Sequence, residues 1–166
     1  MVVDRRIRLV LAAAVAALVV AAPWPASAGA AEPVGHRLLA SQKRMPAGGP
    51  GALGRLAATR PAYREMWDHF RMRGDRPGVN WQRKKVLFLT TGESSICPLR
   101  FKWLRLNDET ATLKLRAGFA RNGQRVCTDD WTPRTFVVAV ARDSIPKGKV
   151  HARANRDRRV QVRRIR

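Results

Sequence analysis

The sequence predicts a β-rich α+β fold: one N-terminal amphipathic helix packed on a mostly antiparallel twisted sheet or partly open barrel, with one disulfide. Three observations predict it: an apolar stripe at helical spacing around Tyr63, alternating apolar and polar residues in several later segments, and a single pair of cysteines. A chain of 166 residues is long enough for one domain with a modest core, which excludes large multidomain enzymes.

Residues 1–28 have the pattern of a secretory signal peptide. Three arginines precede the uncharged apolar run Leu9–Ala22, and small residues fill the cleavage positions Ala26–Ala28. Because the apolar run is too short to span a bilayer comfortably, we prefer this interpretation to an uncleaved membrane anchor. We therefore expect a protein exported by the general secretory route, either extracellular or associated with the cell surface, with no transmembrane segment after processing.

Beyond the predicted signal peptide, composition divides the chain in two. Residues 29–58 are rich in Ala, Gly, Pro and Arg and keep no period for long, so they are predicted to form a flexible linker. Order is expected to begin near Thr59. Residues 59–166 are therefore predicted to be a single small β-rich domain that ends in a basic C-terminal hairpin.

One face of a helix is outlined by four apolar residues spaced three and four apart: Tyr63, Met66, Trp67 and Phe70. Pro61 is tolerated in the first turn, and Thr59 or Arg60 is expected to cap the helix. An aromatic stripe of this kind can serve as a ligand platform. Packing against a sheet is the more common use, and it is the one we expect.

After Val79 the apolar pattern changes to a period of two, which is typical of strands. The sequence predicts strands at Val86–Thr91, Leu99–Leu106, Thr110–Ala117 and Thr135–Ala141, a long irregular connection at Gly118–Pro133, and a hairpin formed by Val150–Ala154 and Arg159–Ile165. The strand that begins at Thr135 is the most apolar and is expected at the centre of the sheet. In the predicted strand Leu99–Leu106, alternation places Leu99, Phe101 and Trp103 on one face.

Cys97 and Cys127 are the only cysteines. Since an exported protein folds where oxidation is permitted, they are predicted to form a disulfide. In the chain-entropy model, closing this loop stabilises the fold by about 3.7 kcal/mol, an upper estimate that ignores strain. A reactive thiol is the alternative, but neither cysteine has a C-x-x-C partner or a neighbouring histidine in the sequence.

The sequence contains no recognisable catalytic or metal-binding motif. None of the three histidines has the spacing of metal ligands. Glu93, Asp129 and Asp130 approach one another if the disulfide draws their loops together, and paired carboxylates can perform acid–base chemistry. Turn-forming side-chain hydrogen bonds are the more common role of such residues. We therefore expect that the protein is not an enzyme, has no catalytic residue, and binds no cofactor and no metal.

A resemblance to a known family rests on the order of segments within residues 60–146. The segments are Trp67 in the helix, Pro77–Trp81, Val86–Leu89 with Gly92, and Phe136–Pro146. This order resembles secreted bacterial proteins related to the C-terminal domain of the protease complex subunit PrcB. Asn80 and Trp81 stand where that family has Asp-Phe, and Ser95–Pro98 replaces its Gly-Gly-Tyr turn. The resemblance implies a small β-rich accessory module that binds or stabilises a protein and is not an enzyme, with no binding residue carried over.

Basic residues outnumber acidic residues by 33 to 12, which gives a formal net charge of +21. The C-terminal segment, residues 147–166, holds nine basic side chains: Lys147, Lys149, Arg153, Arg156, Arg158, Arg159, Arg163, Arg164 and Arg166. Such a segment attracts anionic polymers and anionic membrane surfaces. A charged, solvated edge strand that blocks aggregation is the structural alternative. Because the segment lacks aromatic residues for base stacking, no specific nucleic-acid partner is expected.

Two functions remain open at this point. The first is a secreted non-enzymatic accessory or binding module of a bacterial cell envelope that engages a protein partner. The second is an electrostatic binder of anionic envelope polymers or lipid headgroups through the C-terminal segment. Binding to a protein partner is expected to withstand moderate salt, whereas electrostatic binding is expected to be released by salt alone.

Overall fold

The computed structural model describes residues 32–33, 35–47, 53–119, 126–155 and 157–165, and the predicted signal peptide lies outside them. The elements in the described residues are β1 (Glu32–Pro33), β2 (His36–Gln42), β3 (Leu53–Ala57), α1 (Arg60–His69), β4 (Lys84–Glu93), β5 (Leu99–Asn107), β6 (Thr112–Phe119), β7 (Thr132–Ala141), β8 (Val150–Ala154) and β9 (Val160–Ile165). The predicted β-rich fold with one helix and one disulfide is therefore confirmed.

The strands form one sheet in the order β1-β5-β6-β8-β9-β3-β4-β7-β2. Six of the strand pairings are antiparallel, and two, β3 with β9 and β6 with β8, are parallel. The sheet curls until β2 approaches β5, where the rings of His36 and Phe101 meet edge to face with centroids 5.3 Å apart. The eight longer strands thus make a nearly closed barrel, and the short β1 pairs with the outer edge of β5.

The helix α1 packs against the outer face of the barrel, as its apolar stripe predicts. Thr59 has extended backbone angles and its Oγ1 accepts a hydrogen bond from the Ala62 N–H at 3.3 Å, so it is the N-cap. The buried stripe contacts the outward-facing side chains of β4 and β7. Phe70 stacks on Phe88 with ring centroids 5.0 Å apart, and Tyr63 lies 5.9 Å from Phe88. In the described part of the chain, no helix is long and apolar enough to cross a membrane.

Strands β4 and β7 are buried on both faces, which explains their unbroken apolar sequences. Phe88 and Val137 point outward to the helix, while their neighbours Leu87 and Val138 join the core inside the barrel. The predicted position of the most apolar strand at the centre of the sheet is wrong, because β7 is the next-to-last strand of the order and only β2 lies beyond it. Its unbroken apolar sequence reflects its burial between α1 and the barrel interior instead.

The prediction that residues 29–58 form a flexible linker is wrong for the described part of that range. Residues 36–42 form β2 on β7, and residues 53–57 form β3 between β4 and β9. Composition misleads here because these two strands gain their stability from the strands beside them. Gly54 shows how closely β3 fits, since a Cβ at this position would lie 3.2 Å from the Val162 side chain of β9.

The predicted common face of Leu99, Phe101 and Trp103 is also wrong. The register of β5 on β6 shifts between Phe101 and Trp103, so Trp103 pairs with the outward-facing Arg116 instead of continuing the inner row. Such a bulge moves every later side chain to the opposite face. The inner row is continued by Leu104 and Leu106, and Trp103 stacks with Arg105 on the outside.

The C-terminal hairpin forms as predicted from β8 and β9, which pair antiparallel. The idea that it is a solvated edge is wrong, because β8 also pairs with β6 and β9 also pairs with β3. Asn155 begins the turn with a positive φ of 48°, a conformation that asparagine tolerates better than most residues. Its Oδ1 accepts a hydrogen bond from the Ala117 N–H at 2.9 Å and ties the turn to β6.

Candidate functional site: the mouth of the barrel

Three connections meet at one end of the barrel: residues 94–98 after β4, residues 126–131 before β7, and residues 155 and 157–159 between β8 and β9. Together with the strand ends they surround a cavity of about 800 Å³, which we call the mouth. This volume lies within the range typical of ligand sites. The barrel interior beneath it is filled by apolar side chains, so the mouth is a surface cavity above a packed core.

The predicted disulfide between Cys97 and Cys127 is present, with their Cα atoms 5.6 Å apart. It joins the connection after β4 to the connection before β7. Cys127 itself lines the mouth. The bond therefore fixes the position of one wall of the cavity relative to the other.

Glu93 is the most deeply buried ionisable residue of the mouth, with a fully buried side chain. Its Oε2 accepts a hydrogen bond from the Leu99 N–H at 2.6 Å and another from Arg134 Nε. Its Oε1 has no hydrogen-bond partner among the described residues, and Lys43 Nζ lies 4.0 Å away. In this buried carboxylate, Oε2 therefore has hydrogen-bond donors and Oε1 has none among the described residues.

Asp130 organises the loop beside Glu93. Both of its carboxylate oxygens accept hydrogen bonds from the Ser95 N–H at 3.2 Å, and Thr128 Oγ1 donates to the same carboxylate. Ser94 Oγ lies 2.8 Å from Thr128 Oγ1 and extends the network. The hydrogen bonds from Ser95 and Thr128 hold the pKa of Asp130 well below its usual range, so this carboxylate is ionised at neutral pH.

The sequence hypothesis that Glu93, Asp129 and Asp130 approach one another is confirmed to the extent that all three line the mouth. Asp130 takes the structural role expected of turn carboxylates, and Glu93 is tied to Arg134. Asp129 is exposed at the rim. In the part of the chain that the structure describes, no three histidine, cysteine or carboxylate side chains lie close enough to hold a metal ion.

Exposed apolar side chains gather around the mouth. Phe119 is 58% exposed and Trp131 is 48% exposed, and both line the cavity. Ile96 and Val126, each next to a disulfide cysteine, are 38% and 77% exposed. Leu38, on β2, is the only other large apolar residue exposed in the described structure. A concentration of exposed apolar side chains around one cavity is a common sign of an interaction site.

Trp131 owes its position to a glycine. The indole lies directly against Gly92, where an added Cβ would be 1.9 Å from Trp131 Nε1. Any other residue at position 92 would push the indole aside. Gly92, near the end of β4, thereby leaves room for the indole, which keeps almost half of its surface exposed.

The basic residues of the C-terminal segment do not form one cluster. Lys147 and Lys149 precede β8 at the end opposite the mouth, whereas Arg158 and Arg159 lie in the turn at the mouth. Arg164 Nη2 donates to the Gly148 carbonyl at 3.0 Å and is engaged in holding the preceding loop. The remaining predicted residues are Arg153 on β8, Arg163 on β9, and Arg156 and Arg166, which lie outside the described residues.

Sequence reasoning missed the aromatic rim. Phe119 and Trp131 fall in or beside a segment predicted only as an irregular connection, and their exposure depends on the strands that surround them. One signal was available, because Trp131 is a large aromatic residue in the polar, turn-rich stretch that follows Cys127.

Comparison with known proteins does not assign a function to the mouth. The resemblance to the PrcB C-terminal domain therefore stays a prediction. No protein family, no curated protein and no solved structure matches the chain significantly.

Proposed function

We propose that the chain is an exported, non-enzymatic binding module that engages a protein partner through the mouth of the barrel. The observation that carries this proposal is the concentration of exposed apolar side chains at the mouth. Four of the five large apolar residues exposed in the described structure lie there, around a cavity of about 800 Å³. Aromatic residues of this kind are enriched among the residues that dominate protein-binding energies.

The extent of the apolar rim favours a protein over a small molecule. A small ligand is enclosed by its pocket and contacts only the residues that line it. Here Ile96 and Val126 are exposed outside the cavity lining, on either side of the disulfide. A macromolecular partner can fill the cavity with one side chain and cover this surrounding rim as well.

The disulfide supports the same proposal. Binding costs conformational entropy when mobile loops must be ordered, and a cross-link made beforehand removes part of that cost. Cys97 and Cys127 join two of the connections that carry the rim residues. The mouth is therefore more preorganised than loops of this length would be on their own.

Electrostatic binding to anionic envelope polymers through the C-terminal segment is the alternative proposal. Its basic side chains are divided between the two ends of the barrel and alternate with buried core residues along β8 and β9. This division gives a dispersed positive field instead of one patch. It favours weak, salt-sensitive association over a defined site.

Site-specific photo-crosslinking in the cell envelope tests the proposal. A photoreactive phenylalanine analogue replaces Phe119 in one variant and Trp131 in a second, and the matched control carries it at Leu38, which is similarly exposed but lies on β2. We expect a discrete protein adduct from both mouth positions after a wash at moderate salt, and none from position 38.

The proposal is overturned if the mouth positions give no protein adduct, or if position 38 gives the same adduct with the same yield. Complete release of the chain from envelopes by salt before irradiation, without any adduct, supports the electrostatic alternative instead. Replacing the exposed Lys147 and Arg159 with glutamine then has to lower the salt concentration that releases the chain.

A further inference from the structure

A second cavity lies near the end of β4 opposite to the mouth, between the start of α1 and the segment 76–81 that leads to β4. Its volume is about 240 Å³, which is smaller than a typical drug-sized pocket and suits a small ion or a single chemical group. Three arginines and two aromatic residues line it: Arg60, Arg64, Arg76, Tyr63 and Trp81. We call it the arginine cavity.

The three arginines have no counter-charge in the described structure. None of their guanidinium groups has an ion-pair or hydrogen-bond partner among the described residues, and no described carboxylate lines the cavity. All three side chains are exposed, so solvent screens their mutual repulsion without removing it. An anion is therefore the partner that this group of cations lacks.

The helix makes two of these charges more unfavourable. Arg60 is the first residue of α1, Arg64 follows one turn later, and the first turn contains no acidic residue. The N-terminus of a helix carries a partial positive charge, and like charges four residues apart on a helix repel each other. A bound anion at this position reduces both penalties.

The Tyr63 hydroxyl is the independent observation that points to a ligand. Tyr63 is only 3% exposed, and it lines the cavity. The hydrogen bond from its hydroxyl to the Pro77 carbonyl is 3.5 Å long, beyond the usual range for a hydroxyl donor. Burial raises the pKa of Tyr63 to about 12 against the opposing effect of Arg76 and Arg37, so the phenol keeps its proton at neutral pH. A buried donor is thus left without a good acceptor beside the arginines.

The wall formed by the segment 76–81 is held in place by the barrel. Arg37 of β2 donates to the Gly78 carbonyl at 2.8 Å, and Arg142, just after β7, donates to the Trp81 carbonyl at 2.7 Å. The rings of Tyr63 and Trp81 lie with their centroids 5.5 Å apart. The cavity is therefore shaped before a ligand arrives, which lowers the entropic cost of binding.

We propose that the arginine cavity binds a small oxyanion, in particular a phosphate group. Guanidinium groups bind phosphate through charge-assisted and often bidentate hydrogen bonds. Donors on the helix and on the segment before β4 suit an anion that carries oxygens on several sides, and the Tyr63 hydroxyl adds another donor. The inference goes beyond the proposed function, because the arginine cavity shares no residue with the mouth.

A titration followed by nuclear magnetic resonance tests the inference on the purified, disulfide-bonded chain. Inorganic phosphate is the probe, and sodium chloride keeps the ionic strength constant. We expect the indole N–H signal of Trp81 and the amide signal of Gly78 to move saturably with phosphate. Acetate is expected to bind about fivefold more weakly, because it has fewer oxygens and less charge to accept hydrogen bonds.

Three variants locate the effect. Tyr63→Phe keeps the ring and is expected to weaken phosphate binding about three- to tenfold by removing one donor. Arg76→Gln is expected to weaken it about two- to fivefold, as for an exposed ion pair. The matched control Arg73→Gln removes the same charge from an exposed residue of the same connection that does not line the cavity, and is expected to leave binding unchanged. Unchanged denaturation midpoints for the two arginine variants show that the fold is intact.

Two further probes distinguish the sources of a phosphate group. Glycerol 1-phosphate carries a terminal phosphate, and dimethyl phosphate represents the diester of an envelope polymer or a lipid headgroup. Saturable binding of either probe at the cavity supports the inference and names the source.

The inference is overturned if phosphate moves signals evenly over the whole basic surface, if acetate binds as well as phosphate, or if Arg73→Gln weakens binding as much as Arg76→Gln. None of these results changes the adducts expected from positions 119 and 131. The absence of those adducts likewise leaves the phosphate titration unaffected, so the two proposals fail separately.

Discussion

The helix-covered side of the barrel and its mouth use aromatic residues in opposite ways. On the helix side, Phe70 and Phe88 are fully buried and stacked on each other. At the mouth, Phe119 and Trp131 remain about half exposed beside a disulfide and a polar network. The first region is held by apolar burial, and the second by a cross-link and directional hydrogen bonds. A surface held in the second way can leave its apolar groups accessible, which is what binding requires.

Matched truncations at the two regions are expected to show the largest difference. Phe70→Ala leaves a cavity between α1 and the barrel and is expected to lower the free energy of unfolding by about 3–5 kcal/mol. Phe119→Ala removes an exposed ring and is expected to change it by less than about 0.5 kcal/mol. Denaturant unfolding followed by tryptophan fluorescence measures both. Equal losses would contradict the division between a buried side and a binding side.

The polar support of the mouth is tested by Arg134→Met. This change leaves the buried carboxylate of Glu93 without its charged partner, and such a loss costs about 3–5 kcal/mol in buried sites. Because Arg134 keeps a small exposed fraction, we expect the lower end of that range. The matched control is Arg158→Met at the exposed rim, where the loss should stay within about 0.5 kcal/mol. Similar values for both arginines would mean that water replaces the ion pair at little cost.

Removing the disulfide sharpens the comparison further. The double variant Cys97→Ala and Cys127→Ala is expected to lose up to about 3.7 kcal/mol of stability. Its local effect is expected to be uneven. Amide hydrogen exchange should accelerate most in residues 94–98 and 126–131, while α1 keeps its protection relative to the barrel strands. Equal acceleration in α1 would show that the disulfide stabilises the whole fold instead of the mouth.

The smallest expected effect concerns the pH dependence of the helix side. Tyr63 is the only tyrosine, and burial raises its pKa from 10.0 to about 12. Since the folded state favours the neutral phenol, the contribution of Tyr63 to stability is fully present below pH 10 and is lost as the pH rises through 12. Near-ultraviolet titration should show a tyrosinate midpoint near 12 in the native protein and near 10 in denaturant. A native midpoint near 10 would mean that Tyr63 is solvated and that α1 is loosely packed.

Periodicity predicted the elements whose burial depends on their own sequence. The stripe on α1 shows which face of the helix is buried, and the unbroken apolar run of β7 indicates a strand buried on both faces. Both elements form in the predicted segments. Strands β2 and β3 were not predicted because they lie in a range rich in Ala, Gly, Pro and Arg that keeps no period, and they gain their stability from neighbours that are distant in sequence. The bulge after Phe101 escaped for a similar reason, since only the partner strand reveals the extra residue.

The site was predictable in its acidic residues and not in its aromatic ones. The two cysteines indicated that Glu93, Asp129 and Asp130 would share a neighbourhood, because a cross-link restricts where their loops can lie. Asp157 also lines this cavity, and it lies in the turn between β8 and β9, far along the chain from the other three. No local sequence pattern predicts that it lies near them. The exposure of Phe119 and Trp131 is decided by the packing of the surrounding barrel, and composition alone carries no such information.

The parallel pairing of β3 with β9 determines when the barrel can be completed. These strands lie near opposite ends of the folded chain, and Gly54 of the first lies beside Val162 of the second. The hairpins β5–β6 and β8–β9 can form early, because their strands are close in sequence. The pairing of β3 with β9 can form only when the last strand is available. Contacts between such distant segments slow folding, so the chain is expected to reach its native state in milliseconds to seconds and only after its C-terminus is free. Before that moment one edge of β3 has no hydrogen-bonding partner, and an unpaired strand edge favours aggregation.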